Sequence, residues 1–253
     1  MDEKIQKLQE YVDEAEKIVF FGGAGVSTES GVPDFRSEDG LYHQKYKYPP
    51  EVILSHSFYR SKPKDFYDFY YEKILVDGIG PDATGEDEIK PNKAHLKLAE
   101  MEQKGKLLAV VTQNIDGLHQ KAGSKRVYEL HGSIHRNYCE SCGKFFDGGY
   151  VLEHKADGVP KCDACGGEIK PDVVLYEEGL DQKTLEGAVR SIAEADLLII
   201  GGTSLAVYPA AGLIDYFRGK HLVLINKSKT ERDQVADLVI SDSIGEVLDQ
   251  IHI

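Results

Sequence analysis

Short apolar runs recur along the chain, each followed by glycine or a cluster of polar residues: 18–21, 107–112, 127–130, 196–201, 221–226 and 238–241. Apolar runs this short, bounded by turn formers, read as strands buried on both faces. Longer stretches lie between some of them, at 92–104, 182–195 and 208–217, where the spacing of apolar positions predicts helices. The first residues, 1–17, also follow a charged helical pattern. Alternation of this kind predicts an α/β fold built on a doubly wound parallel sheet. Ligands in such sheets bind beyond the carboxyl ends of the strands, so the residues just after each run carry most of the functional information.

Two stretches break the alternation. Residues 37–91 hold Phe58, Tyr59, Phe66, Tyr67, Phe69, Tyr70 and Tyr71, spaced as one aromatic face of a helical module that a polar loop at 78–91 closes. Residues 132–173 hold all four cysteines. Both read as insertions that together form a smaller domain over the strand ends. The main domain is then made of 1–36, 92–131 and 174–253.

The cysteines change the picture most. Cys139-x-x-Cys142 is followed, after nineteen residues, by Cys162-x-x-Cys165, and no cysteine is left over. Two such pairs can close a tetrahedral zinc site, and with four thiolate ligands no position stays open for catalysis, so the metal is expected to be structural. Paired thiols of this type suit a reducing compartment, and the chain is expected to be cytoplasmic. Its N-terminus lacks the basic start and apolar stretch of a secretory leader. The longest apolar run, 107–111, is far shorter than the ~20 residues of a membrane span. A net charge of −13 argues against nucleic acid as a partner. It suits a lysine-rich partner or simple solubility, and a monomer is expected.

Several strand ends carry candidate chemistry. The first is followed by Gly22-Gly23-Ala24-Gly25-Val26-Ser27-Thr28. Such a turn lets backbone approach a pyrophosphate, or serves tight packing alone. The usual G-x-G-x-x-G spacing is not met, because Thr28 stands where the third glycine would be. Pro33-Asp34-Phe35-Arg36 follows, a ligand-binding turn or a loop anchored by an Asp–Arg pair. The next run ends in Gln113-Asn114-Ile115-Asp116. So many polar groups at an apolar strand end need partners; helix capping accounts for one of them, and a ligand for more. Another run ends in His131-Gly132. This histidine is structural, or a general base, since an unperturbed imidazole titrates near neutrality and the glycine beside it gives a ligand access. Thr203-Ser204 and Asn226 end two further runs and offer turn formation or ribose and phosphate contacts.

In order, these pieces resemble the sirtuins, NAD-dependent protein-lysine deacylases. The resemblance rests on Gly23-Ala24-Gly25-Val26-Ser27, Gly31-Val32-Pro33-Asp34-Phe35-Arg36, Thr112-Gln113-Asn114-Ile115-Asp116-Gly117-Leu118-His119 and His131-Gly132. It continues through the cysteine pairs, Lys170-Pro171-Asp172-Val173-Val174, Gly202-Thr203-Ser204-Leu205 and Ile225-Asn226. It implies a Rossmann-like domain and a smaller helical plus zinc-ribbon domain, with the active site in the cleft between. Ala24, Thr28, Phe35 and Arg36 would line the diphosphate and nicotinamide end of NAD. Gln113, Asn114, Ile115 and Asp116 would hold the nicotinamide ribose and carboxamide. Thr203, Ser204 and Asn226 would contact the adenosine half, with Ile244 near the adenine. Val173, Val174 and Tyr176 would pair with the acetyl-lysine peptide, and His131 would be the general base. The implied reaction expels nicotinamide, joins the acyl oxygen to the ribose as an O-alkylamidate, and yields free lysine and O-acetyl-ADP-ribose.

Two departures stand out. Tyr176-Glu177-Glu178 replaces the frequent Phe-Gly-Glu, and Glu177 is expected to favour basic residues around the target lysine. Relatives that remove succinyl or malonyl groups carry Tyr-x-x-Arg. Here Tyr67-Asp68-Phe69-Tyr70 ends in tyrosine, and counting from Tyr70 reaches Lys73, a cation without the bidentate fork. Neutral acyl groups are therefore expected. The competing readings are ADP-ribosyl transfer to protein, which His131 opposes, and an inert NAD-sensing scaffold, which Asn114, Asp116 and His131 together oppose.

Overall fold

A computed structural model describes residues 2–34, 46–75 and 88–253. Every expected strand is present within a residue or so of its bounds: β1 (Ile18–Gly22), β2 (Leu107–Thr112), β3 (Val127–Glu129), β7 (Leu197–Gly201), β8 (His221–Ile225) and β9 (Leu238–Ile240). They form one parallel sheet in the order β3-β2-β1-β7-β8-β9. The chain winds outward from β1 in one direction, then returns to start β7 on the other side. That reversal opens a crevice above β1 and β7, where doubly wound sheets bind ligands.

The central strands β1 and β7 are apolar throughout because both faces are covered, while the edge strand β3 is half-buried and carries Glu129. In β1, Ile18 and Phe20 face one core while Val19 and Phe21 face the other, and all four are fully buried. The first core is closed by α1 (Glu3–Glu14), α5 (Lys93–Gln103) and α9 (Ile244–Asp249), the second by α8 (Gln182–Glu194). Helix α1 buries Ile5, Leu8 and Val12, one stripe at helical spacing, and its N-cap Asp2 accepts from the Lys4 N–H at 2.9 Å. Fully burying side chains of this size stabilises by about 1.5–3 kcal/mol each. The stretch expected as a helix at 208–217 winds instead as a 3₁₀ helix, Ala210–Tyr216. None of the described helices is long and apolar enough to cross a membrane.

The two insertions share a third core. The aromatic stretch forms α2 (Pro50–Ile53), α3 (His56–Ser61) and α4 (Pro63–Phe69), followed by one turn of π-helix, Tyr70–Ile74. The cysteine stretch forms a small antiparallel sheet of β4 (Gly132–Cys139), β5 (Phe145–Phe146) and β6 (Ile169–Val173), in the order β5-β4-β6, with α7 (Gly148–Glu153) beside it. Phe66, Tyr67, Ile134, Cys139, Cys162 and Val173 belong to one apolar cluster, so helical module and cysteine sheet pack as a unit. Strand pairing between β4 and β6 is interrupted: Ser133 faces Asp172, but the next pair is Asn137 with Pro171. The three residues between bulge away and reach the main sheet instead. Ile134 N–H donates to the Ile115 carbonyl at 3.1 Å, and His135 Nε2 donates to the Asp116 carbonyl at 2.9 Å.

Candidate active site

A cavity of about 610 Å³ lies above β1 and β7, between the sheet and the third core. Its floor is the glycine turn after β1. Gly25 N–H donates to the Gly202 carbonyl at 2.8 Å, and a Cβ on Gly23 or Gly25 would come within 2.8 Å of Thr203 or Gly202. Close approach of the two turns is thus one reason for these glycines, with Ala24 and Thr28 left lining the cavity.

The strand-end polar residues form two connected groups. In the first, Asn114 Nδ2 donates to Ser27 Oγ at 3.0 Å, and Ser27 Oγ donates to Asp116 Oδ2 at 2.7 Å. Asp116 Oδ1 also accepts from the Leu118 N–H at 2.9 Å, at the start of α6 (Leu118–Lys121). In the second, Thr203 Oγ1 donates to Gln113 Oε1 at 2.8 Å. Asn226 Oδ1 and Nδ2 take the Thr203 N–H and carbonyl at 3.0 and 2.9 Å. Asn226 therefore holds the turn after β7 with both polar atoms.

His131 stands beside the segment that follows β2. Its Nδ1 lies 3.0 Å from the Gln113 carbonyl, which can only accept, so Nδ1 carries the proton and Nε2 is left as a base. Burial lowers its pKa below the usual histidine value, opposed by the bond to Gln113, so the ring is neutral near pH 7. Gly132 is needed for a reason other than ligand access. It has φ 76°, and a Cβ there would collide with the Asp172 carbonyl across the β4–β6 ladder.

Asn114, Ile115, Asp116, Ser204, Val173, Val174, Tyr176 and Ile244 line the same cavity as Ala24, Thr28, Gln113, His131, Thr203 and Asn226. Phe35 and Arg36 lie outside the described residues; their neighbour Asp34 lines the cavity. The sequence reading missed Ser27, whose side chain joins Asn114 to Asp116. The Ser27–Asp116 partners are 89 residues apart, so no local pattern marks them. Nor did it foresee that the Glu177 carboxylate oxygens accept from Ser57 N–H and Ser57 Oγ at 2.9 and 3.0 Å. That charge anchors the loop to α3. Glu178 adds bonds from His56 Nδ1, Leu175 N–H and Lys170 Nζ.

The residues fit the two groups the fold implies. Gln113 Nε2 is buried with no partner among the described residues, a free donor at the cavity suited to a polar ligand. The four cysteine sulfurs lie within 4.8 Å of one another, with Cys139–Cys165 at 3.4 Å and Cys142–Cys162 at 3.7 Å. A tetrahedral zinc with Zn–S near 2.3 Å sets sulfurs about 3.8 Å apart. The two pairs fold alike. Gly143 N–H donates to the Cys139 carbonyl and Gly166 N–H to the Cys162 carbonyl, with both glycines left-handed. The Cys142 backbone N–H aimed at its sulfur lowers the Cys139 pKa, favouring the thiolate that a metal needs.

Fold and site define a doubly wound nucleotide-binding protein with a zinc-ribbon insert. A sequence profile of the Sir2 family matches residues 23–209, and the chain belongs to that family. The NAD-dependent protein deacetylase of Clostridium acetobutylicum is 60% identical over 251 residues, 98% of this chain and 98% of that protein. Its counterpart in Clostridium perfringens is 58% identical over 254 residues, 99% of each. A solved Sir2 complex with p53 peptide and NAD+ is similar at a TM-score of 0.83 and 38% identity, covering 97% of this chain and 95% of that one. Sir2Tm bound to a propionylated peptide is similar at 0.82 and 37%, with the same coverage.

Proposed function

We propose that this chain is an NAD-dependent protein-lysine deacetylase in which His131 is the general base and the products are free lysine, nicotinamide and O-acetyl-ADP-ribose. The observation that carries this reading is the His131 ring. It is neutral, its tautomer is set by the Gln113 carbonyl, and it lines the cavity together with the polar groups that follow β1 and β2.

Bound NAD supplies a ribose carbon made electrophilic by departure of nicotinamide. The turn after β1, with Ala24 and Thr28, suits the diphosphate, and Thr203 and Ser204 suit the adenosine half, with Ile244 beside the base. Gln113 offers its unpartnered amide N–H, while the Asn114–Ser27–Asp116 relay holds the nicotinamide side in one orientation. His131 Nε2 takes a proton from a ribose hydroxyl, and its Nδ1–H stays on the Gln113 carbonyl throughout. Val173, Val174 and Tyr176 suit an extended peptide on the other wall. The cysteine site supports the wall and takes no part in proton transfer.

Solved relatives hold an acetylated or a propionylated peptide, which supports an acyl-lysine peptide as substrate. Four cysteines gathered as one metal-binding group support a reducing, cytoplasmic setting. Incubation with NAD and an acetyl-lysine peptide tests the reading. Equal release of nicotinamide and deacetylated peptide is expected from the wild type, and a loss of about 10²–10⁴-fold in His131→Ala. ADP-ribosylated protein without deacetylated peptide would refute it.

A further inference from the structure

The bulge in β4 offers three residues to the rest of the molecule, and two of them, Ile134 and His135, reach the segment that follows β2. The third is Arg136. Its Nη1 donates to Glu129 Oε2 at 2.7 Å, and its Nε donates to Asp172 Oδ2 at 2.7 Å. Glu129 ends β3, at the edge of the main sheet, whereas Asp172 belongs to β6 in the small sheet. One guanidinium therefore ties the two sheets together, and it does so with a planar fork that lysine lacks.

The two carboxylates are placed symmetrically about the base. The His131 carbonyl accepts from the Val174 N–H at 3.0 Å, which joins the candidate base directly to the segment suited to the peptide. Glu129 stands two residues before His131, and Asp172 stands two residues before Val174. The Arg136 pairs thus back both ends of that one bond. Glu129 has only 8% of its side chain exposed, and Arg136 is its partner among the described residues. A carboxylate this buried is costly without its cation, so the clasp belongs to the folded state. Arg136, Glu129 and Asp172 all lie outside the set that lines the cavity, so whatever the clasp does to the chemistry passes through His131 and Val174.

We infer that Arg136 is a positioning residue, which fixes the spacing between the His131 ring and the segment that holds the acyl-lysine peptide. This rests on the deacetylase reading and adds a residue to it. The NAD side of the cleft is built from the turns after β1 and β7, which the clasp does not touch. Loss of the clasp should therefore be felt in proton transfer and in the peptide, and hardly at all in the binding of NAD. A merely structural ion pair would weaken the protein without that asymmetry.

The test removes the clasp without leaving a bare buried charge, by combining Arg136→Met with Glu129→Gln. The kcat for an acetyl-lysine peptide should fall about ten- to a hundredfold, as a small misplacement of a reacting group does, while the KM for NAD stays within about twofold. Arg136→Lys keeps a charge for Glu129 and loses the fork, so it should fold and show a smaller loss of the same kind. Arg60→Met breaks the pair with Glu140 at 2.9 Å elsewhere in the small domain and should leave kcat unchanged. A second readout needs no turnover: the His131 ring, titrated by NMR in the free double variant, should move back up towards the ordinary histidine range as its packing loosens. An unchanged kcat in the double variant (or in Arg136→Lys, should the double variant fail to fold), an equal loss in Arg60→Met, or an unmoved His131 titration overturns the inference. Absence of any acetyl-lysine turnover in the wild type would instead sink the deacetylase reading, and the titration would still decide whether Arg136 holds the ring.

Discussion

Glu177 lines the cavity with a left-handed backbone, φ 75°, a conformation shared by one other non-glycine residue among those described, Leu205. An L-residue there costs about 1–2 kcal/mol. Against this stand the two bonds from Ser57 to its carboxylate. Bonds to charged groups reach about 1.5–3 kcal/mol, but solvent exposure brings this pair down to about 1–2 kcal/mol in total. Two substitutions separate the terms. Glu177→Ala keeps the strain and loses the clamp, so it should destabilise by about 1–2 kcal/mol. Glu177→Gly also loses the clamp but relieves the strain, at the expense of about 0.4–1 kcal/mol of extra freedom in the unfolded chain. Glycine should therefore be the more stable of the two by roughly 0.5–1 kcal/mol. In a chain of this size that is about 1–4 °C in thermal midpoint. The peptide KM should follow the same order, since Tyr176 next door gives its N–H to the Leu54 carbonyl and its carbonyl to the His56 N–H. An alanine variant as stable as the glycine one, or more so, would refute the reasoning.

The pH dependence of activity should show an acid limb below the ordinary histidine range, because His131 is held below its ordinary value and must be unprotonated; an acid limb that His131→Ala leaves unchanged in the residual rate would contradict its role. Chelation of zinc should remove activity together with the near-UV signal of the aromatic core, since Cys139 and Cys162 are part of that core; activity surviving complete metal removal would overturn this. Stability should fall as pH drops from about 6.5 towards 4, because burial lowers His95 to about 4 and His119 well below its usual value. The unfolded chain then binds protons that the native chain does not, and His95 alone accounts for roughly 3 kcal/mol; urea midpoints unchanged between pH 7 and 5 would count against it.

The main sheet was legible because its central strands, β1 and β7, are buried on both faces and carry no polar interruption. In 18–21 or 197–201 the apolar run and the strand are nearly the same object. The cysteine spacing was legible because metal geometry constrains it locally. Three features were not. Residues 132–139 have mixed polarity, since one strand end meets the main sheet and the other the cysteine site. Gly132 looked like an opening for a ligand, whereas its left-handed φ and the nearby Asp172 carbonyl demand it. Ser27 and Ser57 act across 89 and 120 residues of sequence, and serine in a loop gives no local sign of what it will bind.

The bulge in β4 limits how the two halves of the cleft can move. One strand is fixed at its start, where the His131 carbonyl accepts from Val174 N–H, in its middle by Ile115 and Asp116, and at its end by Cys139. The same strand thus carries contacts to both halves of the cleft, and His131, just before it, is held 3.0 Å from the Gln113 carbonyl; on the deacetylase reading the proposed base is anchored in place by backbone rather than by substrate.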